Sequence, residues 1–169
     1  ETVKTLAFGL NKPIIPVNHM VGHIYANFIE KNDISFPAIV LVVSGGHTDL
    51  LFMKEHGNFI LLGGTRDDAA GEAFDKIGRL IGLPYPGGPA IEREAKKGNP
   101  KRFHFPSPLI GSDDFDFSFS GLKAAVMREV KKLDTLDEQT VADIARATQD
   151  AIIHVLVRKT LRAAEQKGV

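Results

Sequence analysis

The stretch that decides the fold is AIVLVVSGGHTDLLFMK, residues 38–54. Its first part, Ala38–Val43, is a continuous run of apolar, mostly β-branched residues, which predicts a buried strand. The two glycines after Ser44 predict a tight turn, and the alternating pattern of His47–Lys54 predicts a second strand that returns beside the first. A third strand is predicted over Phe59–Leu62. This region therefore predicts a hairpin that forms part of a sheet.

The residues before this hairpin predict two helices, a short strand and a linker. Thr2–Leu10 has the pattern of the end of a helix, and the apolar run Pro13–Val17 suggests a short strand. Asn18 is a favoured N-cap residue for a second helix, His19–Glu30. The polar segment Lys31–Pro37 is the best candidate for a boundary between two lobes.

Four further helices are predicted after the sheet, and strands in a hairpin followed by helices indicate an α/β protein with a mixed sheet. The last helix has an apolar stripe, and we expect this stripe and part of the sheet edge to be exposed in the chain taken alone. The stripe consists of Ile144, Ala147, Ala151, Val155 and Leu156. The predicted helices are Ala69–Ile81 ended by Gly82, Ala90–Lys97 after the rigid loop Pro84–Pro89, Gly121–Leu133 capped by Ser120, and Glu138–Lys167.

The composition excludes several classes of protein. With 21 Lys and Arg against 21 Asp and Glu, the net charge is +0, so RNA binding would need a local basic patch or a partner. The chain has no cysteine, which excludes a disulfide, a thiolate zinc site and a cysteine nucleophile. No leader-like segment or membrane-spanning apolar run is present, so a cytoplasmic protein is predicted.

Two histidines at helical spacing are candidate metal ligands. His19 and His23 are four residues apart on the predicted helix, so both imidazoles lie on one face and are able to bind one ion. A zinc protease of the H-E-x-x-H type needs a glutamate after the first histidine, and Met20 stands there instead. Two helix histidines that bind nothing are the commoner explanation of so short a motif, and a catalytic metal usually has three protein ligands.

Two glycine-containing segments are candidates for contact with a nucleotide. In the turn Ser44–Gly46 the glycines allow the backbone to approach a phosphate and to direct N–H groups at it, although a plain hairpin turn is their commoner use. In the helix after the sheet, Glu72, Asp75 and Lys76 share a face. An acidic residue there can bind a ribose and Lys76 a phosphate, with a solvated face of ion pairs as the alternative.

Two later segments carry further signals. Pro86–Pro89 begins a helix and is able to lie against a nucleobase or sugar, although a rigid connector is its simpler role. Phe115–Phe119 alternates aromatic and polar residues, which directs the three phenylalanines to the core. Ser118, Ser120 and Lys123 would then face a cleft or solvent.

Five segments follow one another in a distinctive order: Asn18–His23, Val43–Thr48, Asp67–Lys76, Tyr85–Pro89 and Asp116–Lys123. This order resembles the TsaD family of tRNA N6-adenosine threonylcarbamoyltransferases, formerly called O-sialoglycoprotein endopeptidases or glycoproteases, and the last segment is similar to its bacterial members. The resemblance implies an actin-like, sugar-kinase-like ATPase fold with two α/β lobes. Residues 1–35 would be the end of the N-terminal lobe and residues 36–169 most of the C-terminal lobe.

The resemblance implies transfer of a threonylcarbamoyl group from threonylcarbamoyl-AMP to N6 of the adenosine 3′ of the anticodon, in tRNAs that read codons beginning with A. It implies one divalent metal ion, iron or zinc, bound by His19 and His23. It also implies that the donor is bound by Val42, Val43, Ser44, Gly45 and Gly46 on its phosphate side, and by Asp75 and Gly88 at its adenylate.

Some parts of the family pattern are absent from this sequence: the opening phosphate motif, a later Asn-Gly-Gly-Val-like loop, and the aspartate that is the third metal ligand. We therefore expect an internal part of a longer chain that is inactive by itself. The resemblance implies a TsaB-like paralogue, a TsaE-like ATPase and tRNA as partners. Two alternatives stay open: a small-molecule carbamoyltransferase of the same fold, and a non-catalytic scaffold paralogue, which would not need the histidine pair.

Overall fold

The computed structural model describes residues 1–30 and 34–169, and these residues form six helices and three strands. The chain divides into two compact units, Glu1–Ile34 and Ser35–Val169. The middle of the predicted linker, residues 31–33, lies outside the described residues.

The first unit contains helices α1, Thr2–Gly9, and α2, His19–Glu30. The predicted cap of α2 is confirmed, because the Asn18 side-chain oxygen accepts the N–H groups of Met20 at 2.9 Å and Val21 at 3.2 Å. These two bonds satisfy donors that have no partner within the helix itself.

The predicted strand over Pro13–Val17 is wrong, because these residues have no regular structure. Two of the five residues are prolines, which cannot donate a backbone hydrogen bond to a neighbouring strand. No described strand is paired with the segment, and Ile15 and Val17 are exposed. An apolar run without a pairing partner does not form a strand.

The second unit is built on a three-stranded antiparallel sheet in the order β1-β2-β3. Its strands are β1, Ala38–Val43, β2, Thr48–Glu55, and β3, Asn58–Gly64, so all three predicted strands are confirmed. β1 is half-buried rather than fully buried. The three strands pair only in antiparallel fashion; parallel pairing occurs in an isolated bridge between Thr65 and Phe117. The mixed sheet that the sequence suggested is therefore not formed by these strands.

Four helices of the second unit complete a mixed α/β architecture: α3, Ala70–Leu80, α4, Gly87–Ala95, α5, Ser120–Val130, and α6, Glu138–Lys167. The chain leaves α3 through Gly82, whose φ of 80° is in the left-handed region, so the predicted stop is confirmed.

The stripe of α6 that was expected to be exposed is buried, and this prediction is wrong. α6 packs against α3, α4, α5 and β1 of its own unit, which cover that face. A different side of the helix is open, where Ile153, Val157 and Leu161 are between 46 and 55% exposed. The covered face belongs to a core whose largest members include Leu50, Ile77, Ile91, Phe117, Phe119, Leu122 and Ile152.

Two helices begin earlier than predicted. α4 begins at Gly87 instead of Ala90, because the N–H of Gly87 donates to Asp75 Oδ1 at 2.7 Å. Pro89 is tolerated there, since an N–H in the first turn of a helix needs no partner within the helix. α5 begins at Ser120, so Ser120 is not its N-cap. The position before the helix is taken by Phe119.

Candidate donor site and histidine pair

The turn Ser44–Gly46 is closed by hydrogen bonds of its own. The Ser44 N–H donates to the carbonyl of His47 at 2.9 Å, and Ser44 Oγ accepts the N–H groups of Gly46 at 3.3 Å and His47 at 3.1 Å. The expectation that the whole turn directs free N–H groups at a phosphate therefore needs correction. The N–H of Gly45 makes no hydrogen bond within the described residues, and the Ser44 hydroxyl keeps its own hydrogen for a ligand.

The fold does not require the two glycines of this turn. Neither Gly45 nor Gly46 has a positive φ, and a Cβ added to either would have no atom within 4 Å. The turn is exposed at both positions. Because neither conformation nor packing explains the missing side chains, the open space above the turn is available to a ligand.

The glycines of α3, in contrast, pack closely against other backbone segments. A Cβ on Gly71 would lie 2.6 Å from the carbonyl oxygen of Ser44 and 2.8 Å from Cα of Gly45, and a Cβ on Gly78 would lie 3.2 Å from Cα of Gly87. The N–H of Gly71 donates to the carbonyl of Ser44 at 3.2 Å. Close packing therefore accounts for the small residues at positions 71 and 78.

One face of α3 joins the candidate site residues of the second unit. Gly71 contacts the Ser44 turn. Asp75, one helical turn later, and Gly78, two turns later, contact the start of α4, where Gly88 follows Gly87. Gly71 and Gly78 are separated by about 10 Å along the helix axis. The Ser44 turn and Gly88 therefore lie beside the same side of one helix, at its two ends.

The other residues that were predicted to bind threonylcarbamoyl-AMP occupy different environments. Val43 ends β1 with its side chain 44% exposed, whereas the side chain of Val42 is buried and offers a ligand only its backbone. A cavity of about 430 Å³ borders Asp75, and its other lining residues come from α3 and the loop after it. The Ser44 turn and Gly88 are not among the residues that line this cavity.

Lys76 is not available to a phosphate in this arrangement. Its ammonium binds Asp68 at 2.6 Å and Glu72 at 2.7 Å, so the alternative of a helix face with ion pairs is the one observed. The hydrogen bond from Lys76 lowers the pKa of Glu72 despite partial desolvation. The ion pair thereby favours the charged form of Glu72.

Asp67 fixes the position of α5 and was not recognised from the sequence. Its carboxylate accepts the hydroxyls of Ser118 at 2.6 Å and Ser120 at 2.7 Å, and the N–H groups of Phe119 at 2.8 Å and Ser120 at 3.3 Å. Desolvation would raise the pKa of Asp67, but these hydrogen bonds outweigh it and lower the pKa. Asp67 thus caps a helix that begins more than fifty residues later in the chain, a relation that no local pattern signals.

The histidine pair of α2 has the geometry of two ligands of one ion. The Nε2 atoms of His19 and His23 are 3.1 Å apart, and both side chains are exposed. Two nitrogens bound at 2.0–2.1 Å to a tetrahedral ion would lie about 3.3 Å apart, so little movement separates the pair from that geometry. Within residues 1–30 and 34–169, no group of three or more acidic or histidine side chains is placed to hold a metal ion.

The protein has a candidate anion-binding position and a candidate metal-binding position. The first is the glycine turn, which is open to a ligand and is linked by one face of α3 to a second glycine segment. The second is the histidine pair. The family model of TsaD, tRNA N6-adenosine threonylcarbamoyltransferase, matches residues 1–169. The chain belongs to the TsaD family.

Bacterial relatives named tRNA N6-adenosine threonylcarbamoyltransferase are similar over the whole chain. One from Symbiobacterium thermophilum is 54% identical over 169 residues, and one from Ralstonia pickettii is 52% identical over 173 residues. One from Syntrophomonas wolfei is 53% identical over 98% of this chain. The chain spans about half the length of these relatives, 49 to 50%. Among the described residues, no helix is both long and apolar enough to cross a membrane.

Proposed function

We propose that the protein containing this chain transfers a threonylcarbamoyl group from threonylcarbamoyl-AMP to N6 of the adenosine 3′ of the anticodon. The observation that carries this proposal is the match of all 169 residues to one family model, together with 50 to 54% identity to relatives of that name. The finer features of the fold belong to the proposal: an actin-like, two-lobed ATPase fold with residues 1–35 in one lobe and residues 36–169 in the other.

The test is a transfer assay with the full-length protein, labelled threonine and a tRNA that reads codons beginning with A. The matched control is the same tRNA with guanosine in place of the adenosine 3′ of the anticodon, which lacks the N6 amine. We expect label in the first tRNA and none in the second. Equal labelling of both, or labelling of a small molecule alone, would contradict the proposal.

The donor site in this proposal follows one face of α3. The N–H of Gly45 and the hydroxyl of Ser44 would bind the phosphate of threonylcarbamoyl-AMP, and its nucleoside would extend along α3 toward Gly88. Asp75 holds the start of α4 in place through Gly87, which supports a role for Asp75 in shaping the adenylate end. Val42 and Val43 would contribute their backbone beside the phosphate.

A valine at position 45 tests this site. The fold tolerates a side chain there, since a Cβ would meet nothing within 4 Å, so Gly45→Val should leave stability unchanged while it blocks close approach of a phosphate. Gly111→Val is the matched control, because Gly111 is also exposed and free of neighbours. We expect binding of AMP by the full-length protein to weaken at least tenfold for the first variant only. Equal binding by both variants would contradict the site.

The proposal includes one divalent metal ion, iron or zinc, held by His19 and His23. When bound, the ion would supply a Lewis acid. The test is the metal content of the full-length protein and its His19→Ala and His23→Ala variants, with His104→Ala as the control for loss of an exposed histidine. We expect the first two variants to lose metal and the control to keep it. Unchanged metal content in both would end this part of the proposal.

The proposed partners are a TsaB-like paralogue, a TsaE-like ATPase and tRNA. The net charge of +0 fits an RNA-binding surface shared with other proteins. Full activity of the full-length protein without any added protein would contradict this. We also expect no transfer by the 169 residues alone, because two histidines leave a catalytic metal one protein ligand short.

A further inference from the structure

His47 has a fixed backbone and a free side chain next to the glycine turn. Its N–H donates to Ser44 Oγ at 3.1 Å and its carbonyl accepts the N–H of Ser44 at 2.9 Å, so both backbone groups are held. The imidazole is exposed, and it makes no hydrogen bond, ion pair or ring contact within the described residues. The turn therefore presents an imidazole whose two nitrogens are both available.

Three acids at or just before the start of α3 are poorly suited to accept a proton. Asp68 and Glu72 are both bound to the ammonium of Lys76, at 2.6 and 2.7 Å. The carboxylate of Asp67 accepts four hydrogen bonds, and its pKa is lowered by them although desolvation acts the other way. A carboxylate that is stabilised as the anion is a weak base.

Thr48 and Lys123 are also unsuitable. The hydroxyl of Thr48 is buried and accepts the N–H of Ala70 at 2.9 Å, and a hydroxyl is not basic. Lys123 lies in the first turn of α5, and a lysine ammonium has no lone pair for a proton at neutral pH. An imidazole, in contrast, is the side chain most often used as a general base.

We propose that the imidazole of His47 is the general base that deprotonates the attacking amine. This inference rests on the proposed function and names a role within it. As the N6 nitrogen of adenosine forms a bond to the carbamoyl carbon, the bond from that carbon to the phosphate oxygen breaks and AMP leaves with the electron pair. The N6 proton passes to a ring nitrogen of His47 and then to solvent. No electrons are gained or lost, and no further reactant is needed.

The experiment uses the full-length protein with its partner proteins and compares His47→Gln, His47→Ala and the control His104→Gln, another exposed histidine. We expect kcat to fall about 10²- to 10⁴-fold in both His47 variants, the range usual for loss of a general base. Binding of AMP should stay within about twofold of wild type. Added imidazole should restore activity to His47→Ala, and a series of substituted imidazoles should rescue better as their basicity increases.

Two outcomes separate the inference from the proposed function. If the wild-type protein transfers nothing to tRNA, the proposed function fails and the inference fails with it. If the wild-type protein is active and His47→Gln keeps kcat within about threefold, only the inference is overturned. A loss of activity that accompanies weaker AMP binding and shows no rescue by imidazole also overturns it, because His47 would then act in binding.

Discussion

Replacing Asp67 by alanine removes a single side chain that holds the start of α5. Four hydrogen bonds end on this carboxylate, two from backbone N–H groups and two from the hydroxyls of Ser118 and Ser120. In Asp67→Ala the N–H groups of Phe119 and Ser120 lose their partner, and α5 has no other side-chain cap. The hydroxyls are nearer to solvent and are able to bind water instead.

The expected loss of stability is set by the backbone bonds. Loss of an N-cap side chain costs about 1 kcal/mol and up to about 2 kcal/mol. Hydrogen bonds to a charged group contribute about 1.5–3 kcal/mol when buried, but Asp67 is exposed, and solvent screening reduces that figure. We therefore expect a loss of about 1.5–2 kcal/mol, which corresponds to a Tm lower by about 4–6 °C in a chain of this size.

Urea denaturation of the 169-residue chain, followed by circular dichroism, measures this loss. Asp113→Ala is the matched control, because Asp113 is also exposed and makes no hydrogen bond or ion pair within the described residues. Asp67→Asn should fall between the two, since the amide keeps one acceptor oxygen. If Asp67→Ala is within about 0.5 kcal/mol of Asp113→Ala, the carboxylate does not stabilise the start of α5 and the reasoning is refuted.

Three further predictions concern the second unit. Gly71→Ala should lower Tm, because the added Cβ would lie 2.6 Å from the carbonyl oxygen of Ser44; a higher Tm, as expected from helix propensity alone, would contradict this. Lys159→Ala should lower the free energy of unfolding, measured in urea, by about 3 kcal/mol. The buried ammonium binds Ser112 Oγ at 2.9 Å and the Asp116 carbonyl, and both acceptors lose this donor in the variant. A loss under about 1 kcal/mol would contradict this. Desolvation would raise the pKa of Asp143, but hydrogen bonds from Asn99, Gln139 and Arg102 outweigh it and lower the pKa below the ordinary value of 3.8. The charged form therefore contributes to the free energy of unfolding above pH 3.8. This contribution is lost as the pH falls through the folded-state pKa. Urea midpoints between pH 6 and pH 2 should therefore fall less steeply in Asp143→Asn than in wild type.

Local periodicity was sufficient for the secondary structure where each element depends on its own residues. The β-branched run of β1, the alternation of β2 and the apolar stripe of α6 each predicted an element that is formed. The failures all involve distant partners. Pro13–Val17 has no strand to pair with, and the early start of α4 at Gly87 depends on the Asp75 carboxylate, twelve residues away.

In the candidate site, too, the sequence identified local patterns but not contacts with distant residues. A glycine turn after a strand and an i, i+4 histidine pair are local patterns, and the sequence identified both. The pairing of Lys76 with Asp68 and the hold of Asp67 on α5 depend on three-dimensional geometry. A sequence motif names residues that are able to bind a ligand, but it does not reveal which of their donors the fold has already used.

The glycines of this chain give a physical criterion for separating ligand-binding positions from structural ones. Gly71 and Gly87 are needed by the fold, since a Cβ on either would overlap backbone atoms at 2.6 Å or less. Gly45 and Gly46 are not needed by it, since each has an ordinary φ and empty space above it. Glycine loses more backbone entropy on folding than alanine does, so an unconstrained glycine in a turn has no structural explanation. Gly71 and Gly87 allow α3 to contact the two glycine segments closely. Gly45 and Gly46 leave an open surface beside this contact. Gly111 also has an ordinary φ and empty space above it, so the criterion alone does not identify a ligand site. The Ser44 turn is the candidate because its two glycines lie beside the close contact with α3.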